Sequence, residues 1–219
     1  MFKVESLTAH GLVEFLKTIP SEAGFIGRAK ITYRPYICPF GDLLGLVKPG
    51  ERVFDVGSGS GQFCLLLARY THPSWVGGIE ISEQLVKNAH QLFAHADLKV
   101  PHEFATYDGS TLPDSIQTAD KVFLVDVLHH IPPLAQVPFL SALHASMKVG
   151  AQLIVKDIDG ASPLVLCNKL HDLLLAGEIG CELPAPRLRE MAHATGFRVV
   201  SESHRRMWWY PHFTLVLKK

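Results

Sequence analysis

Val53-Phe54-Asp55-Val56-Gly57-Ser58-Gly59-Ser60-Gly61-Gln62 decides the fold. An apolar, β-branched-rich run ends in an acid, glycine follows at every second position, and helical spacing resumes in Phe63-Cys64-Leu65-Leu66-Leu67-Ala68. Strand, tight turn and helix in that order open a βαβ unit. Glycine belongs in such a turn because a Cβ would hinder both positive φ and close backbone approach to a ligand. The new helix also turns its unpaired N–H groups toward whatever lies above the sheet.

A dinucleotide loop wants G-x-G-x-x-G with a pyrophosphate over the helix N-terminus. Gln62 stands where that third glycine would be, and Asp55 precedes the first glycine. A carboxylate there repels a pyrophosphate and suits a cationic ligand. Asp55-Val56-Gly57-Ser58-Gly59-Ser60-Gly61 thus resembles the first motif of the class I, Rossmann-like S-adenosylmethionine-dependent methyltransferases.

Working outward, Trp75–Ile81 closes a second strand at Glu80, and Ser82 caps the next helix. An acid there can hold both ribose hydroxyls. A third strand, from Val100 to Tyr107, ends in Asp108-Gly109; the family has an acid there that accepts from the adenine amino group. A fourth, Lys121–Val127, runs into Leu128-His129-His130-Ile131-Pro132, similar to the family's fourth motif. The resemblance spans about residues 30–219. It implies a seven-stranded, mostly parallel α/β sheet of order 3-2-1-4-5-7-6, its last strand antiparallel, with helices on both faces. It implies S-adenosylmethionine as cofactor and S-adenosylhomocysteine as product. The nucleoside site would comprise Asp55, Gly57, Ser58, Gly59, Gly61, Gln62, Glu80, Ile81, Asp108, Gly109, Asp126 and Val127. Gly57, Ser58, Gly59 and Asp55 would hold the aminoacyl end, and Asp126 and Val127 would lie beside the methionine portion.

With 219 residues and 47% hydrophobic content the chain fits one domain, 1–219: a helical cover at 1–47 and a core at 48–219 with an inserted helix near 162–177. Formal net charge +0 and no basic tract disfavour nucleic-acid partners; Arg205-Arg206 reads as a solvated strand end. Cys38, Cys64, Cys167 and Cys181 show no metal spacing, Cys64 reads as plain core, and no apolar run approaches a membrane span, so a cytoplasmic setting is expected. No metal site is expected.

Tyr33, Arg34 and Tyr36 either line an acceptor pocket or seal the sheet edge; Ser21–Gly27 reads as loop. Thr111–Thr118 reads as loop because Pro113 breaks a helix, and a helix from about Leu134 to Met147 should close at Gly150. The inserted helix carries His171 and Asp172, which do not share a face, and reads as a lid or a homodimer contact. Asp157 and Asp159 read as caps of the turn after the fifth strand, with substrate contact by one of them as the alternative. Met207-Trp208-Trp209-Tyr210-Pro211-His212 is expected between the last two strands, packed over the sheet edge.

The activity implied is in-line methyl transfer to a small, fairly hydrophobic acceptor. A hydroxyl or acidic carbon would need a base, and His129 or His130 stands where the methyl emerges; the other reading is a loop histidine bonded to a backbone carbonyl. The competing functions are an NAD(P)-dependent oxidoreductase and a non-catalytic S-adenosylmethionine-binding module.

Overall fold

The computed structural model describes residues 7–165 and 180–219. Its sheet has seven strands in the order β3-β2-β1-β4-β5-β7-β6. They are β1 (Arg52–Val56), β2 (Trp75–Glu80), β3 (His102–Thr106), β4 (Lys121–Val125), β5 (Gln152–Ile158), β6 (Arg198–Met207) and β7 (Tyr210–Lys218). β1, β2 and β3 pair in parallel, as do β4 and β5; β7 is antiparallel to both β5 and β6. The expected order and the antiparallel edge are both present. The contacts of the chain divide into two compact units, Met1–Thr111 and Leu112–Lys219.

In the first unit, α1 (Ala9–Thr18), α2 (Phe25–Tyr33) and α3 (Phe40–Leu44) precede β1. α1 is amphipathic: Thr8 caps it by accepting from Gly11 N at 3.1 Å, and Leu12, Val13 and Leu16 are buried. α2 begins inside the segment expected to be loop. Phe25 and Ile26 are exposed, so its first turn carries no inward apolar periodicity to read. Phe40 of α3 stacks on Phe63 of α4 (Gln62–Tyr70), ring centroids 5.0 Å apart. Ser82 caps α5 (Glu83–Ala96) by accepting from Leu85 N at 3.4 Å.

In the second unit β4 is buried along its whole length, and β5 along all but its first residue. Pro113, expected only to break a helix, leads a single 3-10 turn, Asp114–Thr118, a position that needs no donated N–H. α6 (Pro133–Ser146) ends before Gly150, which is therefore no helix cap; it takes φ +85° in the turn entering β5. After α7 (Ala185–Ala194), β6 and β7 run to within two residues of each other. The expected aromatic connection is thus mostly strand. Its signal was hidden because edge strand β6 is exposed and polar, so apolar alternation fails along Ser201–Arg206. The proposed inserted helix, with Cys167, His171 and Asp172, lies almost wholly outside the described residues.

Candidate active site

At the end of β1, the buried Asp55 carboxylate faces α4, where Cys64 Sγ lies 3.5 Å from Oδ2. Cys64 is core, as expected, and its thiol also donates to this carboxylate. Asp55 Oδ1 is buried with no hydrogen-bond partner, and so is Oε1 of Gln62, the first residue of α4. Burial pushes Asp55 from 3.8 up to about 7, offset by the Cys64 thiol and the positive charge of Arg34, with the Glu80 charge adding to the rise. Arg34, expected in an acceptor pocket, thus acts electrostatically on this carboxylate.

The glycine loop satisfies itself. Gly57 N and Ser58 N donate to Ile79 O at 2.8 and 3.0 Å, and Gly61 N donates to Ser58 O at 3.0 Å. Gly59 N donates to Glu80 Oε2 at 3.0 Å, while Ser82 N donates to Glu80 Oε1 at 3.1 Å. The N–H groups of Gly57, Ser58, Gly59 and Gly61 are thus turned inward. Its glycines also divide. Gly61 (φ +77°) lies where a Cβ would come 2.8 Å from Ala89 Cβ, so it serves packing on α5. Gly59 (φ +55°) faces open space.

Asp108 and Gly109 lie in an exposed turn, where Asp108 Oδ1 accepts from Ser110 N at 2.8 Å and Thr111 N at 2.9 Å. Those bonds hold its carboxyl below the usual range. Ile81 is 70% exposed. Tyr33 and Tyr36 stack with centroids 6.4 Å apart, and Tyr36 Oη lies 3.1 Å from His10 Nδ1.

In the second unit, charge is embedded in an otherwise apolar strand. Lys156 is fully buried in β5 and pairs with Asp126, which follows β4 with φ +56°, a backbone state unusual for a residue with a side chain. Val127 comes next and opens the turn that carries His129. Asp157, expected to cap the following turn with substrate contact as the alternative, holds His129. Its Oδ1 lies 2.5 Å from His129 Nδ1, and its Oδ2 accepts from His129 N at 3.3 Å. Asp159 does cap that turn, accepting from Ala161 N at 3.0 Å.

His129 is therefore tied to a carboxylate rather than to a backbone carbonyl. Gln136 Nε2 fixes its loop by donating to Leu128 O at 3.2 Å and Ile131 O at 3.1 Å. Cys181 N donates to His129 O at 2.8 Å, and a Cβ on Gly180 would come 2.7 Å from the imidazole Cδ2. His130 is exposed, its ring 4.1 Å from that of His129. Asp157 orients the His129 ring through Nδ1. The available signal for Lys156 and Asp157 was their position: two charges inside Leu153–Ile158 must find partners on a neighbouring element.

These residues fit a nucleoside with a cationic aminoacyl end. Two buried acceptor oxygens lack partners, open space faces Gly59, and an acid closes β2 and another follows β3. Comparison with known proteins agrees. Residues 30–202 match a family model described as a methyltransferase domain. The chain is 30% identical over 167 residues to demethylspheroidene O-methyltransferase of Rhodobacter capsulatus, covering 74% of this chain and 40% of that protein. It is 28% identical over 145 residues to 27-O-demethylrifamycin SV methyltransferase of Amycolatopsis mediterranei, covering 66% and 47%. The matched parts are thus less than half the length of these curated relatives. Magnesium protoporphyrin IX methyltransferase from Synechocystis PCC 6803, solved with bound SAH, superposes with TM-score 0.70 at 19% identity, covering 98% of this chain and 97% of that one. Mitomycin 7-O-methyltransferase MmcR gives TM-score 0.71 at 19% identity, covering 88% and 56%. At these identities the structures establish the shared fold.

Proposed function

The chain belongs to the methyltransferase domain family, and from that premise we propose that it moves the methyl group of S-adenosylmethionine to a hydroxyl of a small, fairly hydrophobic acceptor. The observation that carries the reading is Asp55 Oδ1: a buried carboxylate oxygen without a donor, at the start of the glycine loop. An isolated buried carboxylate is costly, and a cation brought by a ligand removes the cost. Asp55 would hold the ligand's ammonium, Glu80 the ribose hydroxyls and Asp108 the adenine amino group through Oδ2. When bound, S-adenosylmethionine supplies an electrophilic methyl that needs no further activation.

Oxygen as the methyl-accepting atom is supported by the curated relatives, both named for O-methylation. A hydroxyl must lose its proton as the O–C bond forms. Asp157 accepts at Nδ1 of His129, which leaves Nε2 as the basic nitrogen and stabilises the imidazolium that results. His129 is then the general base and Asp157 its positioning residue. A cytoplasmic setting is part of this reading, supported by the free thiols of Cys38, Cys64 and Cys181.

Titration calorimetry with S-adenosylmethionine, S-adenosylhomocysteine and NADH tests the nucleoside assignment. Binding of the first two and not the third is expected; preference for NADH overturns it. Methyl transfer to a panel of hydroxylated aromatic and lipid-like acceptors then tests the chemistry. Tight binding with no transfer to any acceptor of the panel would favour a non-catalytic module.

A further inference from the structure

The β6–β7 hairpin closes with a two-residue loop, Trp208-Trp209, after the last pair Met207↔Tyr210. Trp208 takes φ +56°, at a position such hairpins fill with glycine or asparagine because a large side chain is strained there. The two indoles are 71% and 48% exposed and lie edge to face, centroids 6.2 Å apart. The expectation that this cluster packs over the sheet edge fails for them. It holds for Tyr210 and His212, which are buried, stack at 6.1 Å and brace the tip from beneath, with Trp209 lying 5.7 Å from Tyr210. Arg205 and Arg206, both exposed, flank the tip on β6. Asp159 N donates to Pro211 O at 2.7 Å, so the tip projects from the end of β5 that carries Asp157 and His129.

We propose that Trp208, Trp209, Arg205 and Arg206 form a docking surface for an anionic lipid bilayer. Indoles favour the zone between headgroups and acyl chains, where the ring is apolar and the N–H stays wet. Arginines beside them gain from anionic headgroups. A protein partner fits less well, since a stable interface buries roughly 800 Å² per side around concave pockets. A two-residue hairpin tip is convex and small. Docking would set the His129–Asp157 end of its unit against the membrane, where a hydrophobic acceptor dissolves. The surface is inferred independently of the methyl-transfer reading.

The test is sedimentation with vesicles of phosphatidylcholine alone and of phosphatidylcholine mixed with an equal amount of phosphatidylserine, together with intrinsic fluorescence. The chain has three tryptophans, and Trp75 is buried, so a blue shift on vesicles reports on Trp208 and Trp209. Expected are binding to the anionic vesicles, weakening with salt, and a blue shift. Arg205→Glu with Arg206→Glu should weaken partitioning at least about thirtyfold. Trp208→Ser with Trp209→Ser should abolish it while the unfolding midpoint holds. Absence of binding, equal binding to both vesicle types, or binding that survives both double substitutions overturns the proposal. So does a raised KM for a water-soluble acceptor in the tryptophan variant with vesicle binding unchanged, which would place the indoles in the acceptor site. Neither vesicle readout requires methyl transfer, so failure here is separate from failure of the catalytic reading.

Discussion

The carboxyl ends of β1 and β4 treat charge in opposite ways. After β1, Asp55 is buried with one oxygen lacking a donor and is pushed up to about 7. After β4, Asp126 meets Lys156, and His129 meets Asp157. An unfinished acceptor set is poised for a ligand that brings its own cation. A finished pair is preorganised and gains nothing from a charged ligand, but holds a side chain in one orientation and tautomer. In the proposed reading the first arrangement serves binding and the second catalysis, so substitutions at the two ends should separate affinity from rate.

The largest separation is expected at His129. His129→Ala should lower kcat by about 10²–10⁴-fold while the Kd for S-adenosylhomocysteine stays put. Asp157→Asn should fall in the same direction and alter the pH–rate profile, because it replaces a carboxylate with an amide at Nδ1. Loss of nucleoside affinity with unchanged kcat would reverse the assignment. Next comes stability. Asp126→Ala takes the carboxylate from a fully buried ammonium and should cost about 3–5 kcal/mol in urea unfolding. Combining it with Lys156→Met should recover most of that loss. If the single variant is as stable as the parent, the pair is not holding the end of β4.

The candidate nucleoside half was legible because it is written locally. Asp55, the glycines, Glu80 and Asp108 sit at fixed places relative to strands that announce themselves by apolar runs. The charge pairs beyond β4 were not, because they join residues about 30 positions apart, Asp126 to Lys156 and His129 to Asp157. Nothing in a strand's periodicity says which neighbour its charged residue will meet. Two aspartates at the end of β5 looked alike, yet Asp159 caps a turn and Asp157 holds a histidine. Glycines looked alike too, and only packing separates Gly61 against Ala89 from Gly59 facing open space. The hairpin tip was misjudged for a related reason: an exposed edge strand carries no alternation, so β6 and β7 looked shorter than they are.

Glu80 sharpens the contrast at intermediate size. Its carboxylate already braces Gly59 N and Ser82 N and would also take the ribose. Glu80→Ala should weaken S-adenosylhomocysteine binding by about 1.5–3 kcal/mol, the range for charge-assisted hydrogen bonds. Binding that survives unchanged in calorimetry would leave Glu80 with the bracing role alone.

The smallest effect per step, and the one that isolates Asp55, is on pH. Its folded pKa, about 7, lies above the ordinary 3.8, so in the ligand-free protein the carboxyl is protonated below 7. The stability linked to that proton is full below 3.8, lost as pH rises through 7, and flat beyond. A cationic ligand reverses the preference, since it needs the carboxylate. Affinity for S-adenosylhomocysteine should therefore fall about tenfold for each pH unit below 7 and level off above it, with proton release on binding measurable by calorimetry in buffers of different ionisation enthalpy. Asp55→Asn should bind weakly at every pH, lose the slope, and leave the ligand-free chain more stable above pH 7. A pH-independent Kd in the unaltered protein would mean that Asp55 is already ionised before the ligand arrives, and that the contrast between the two strand ends is one of geometry and not of charge.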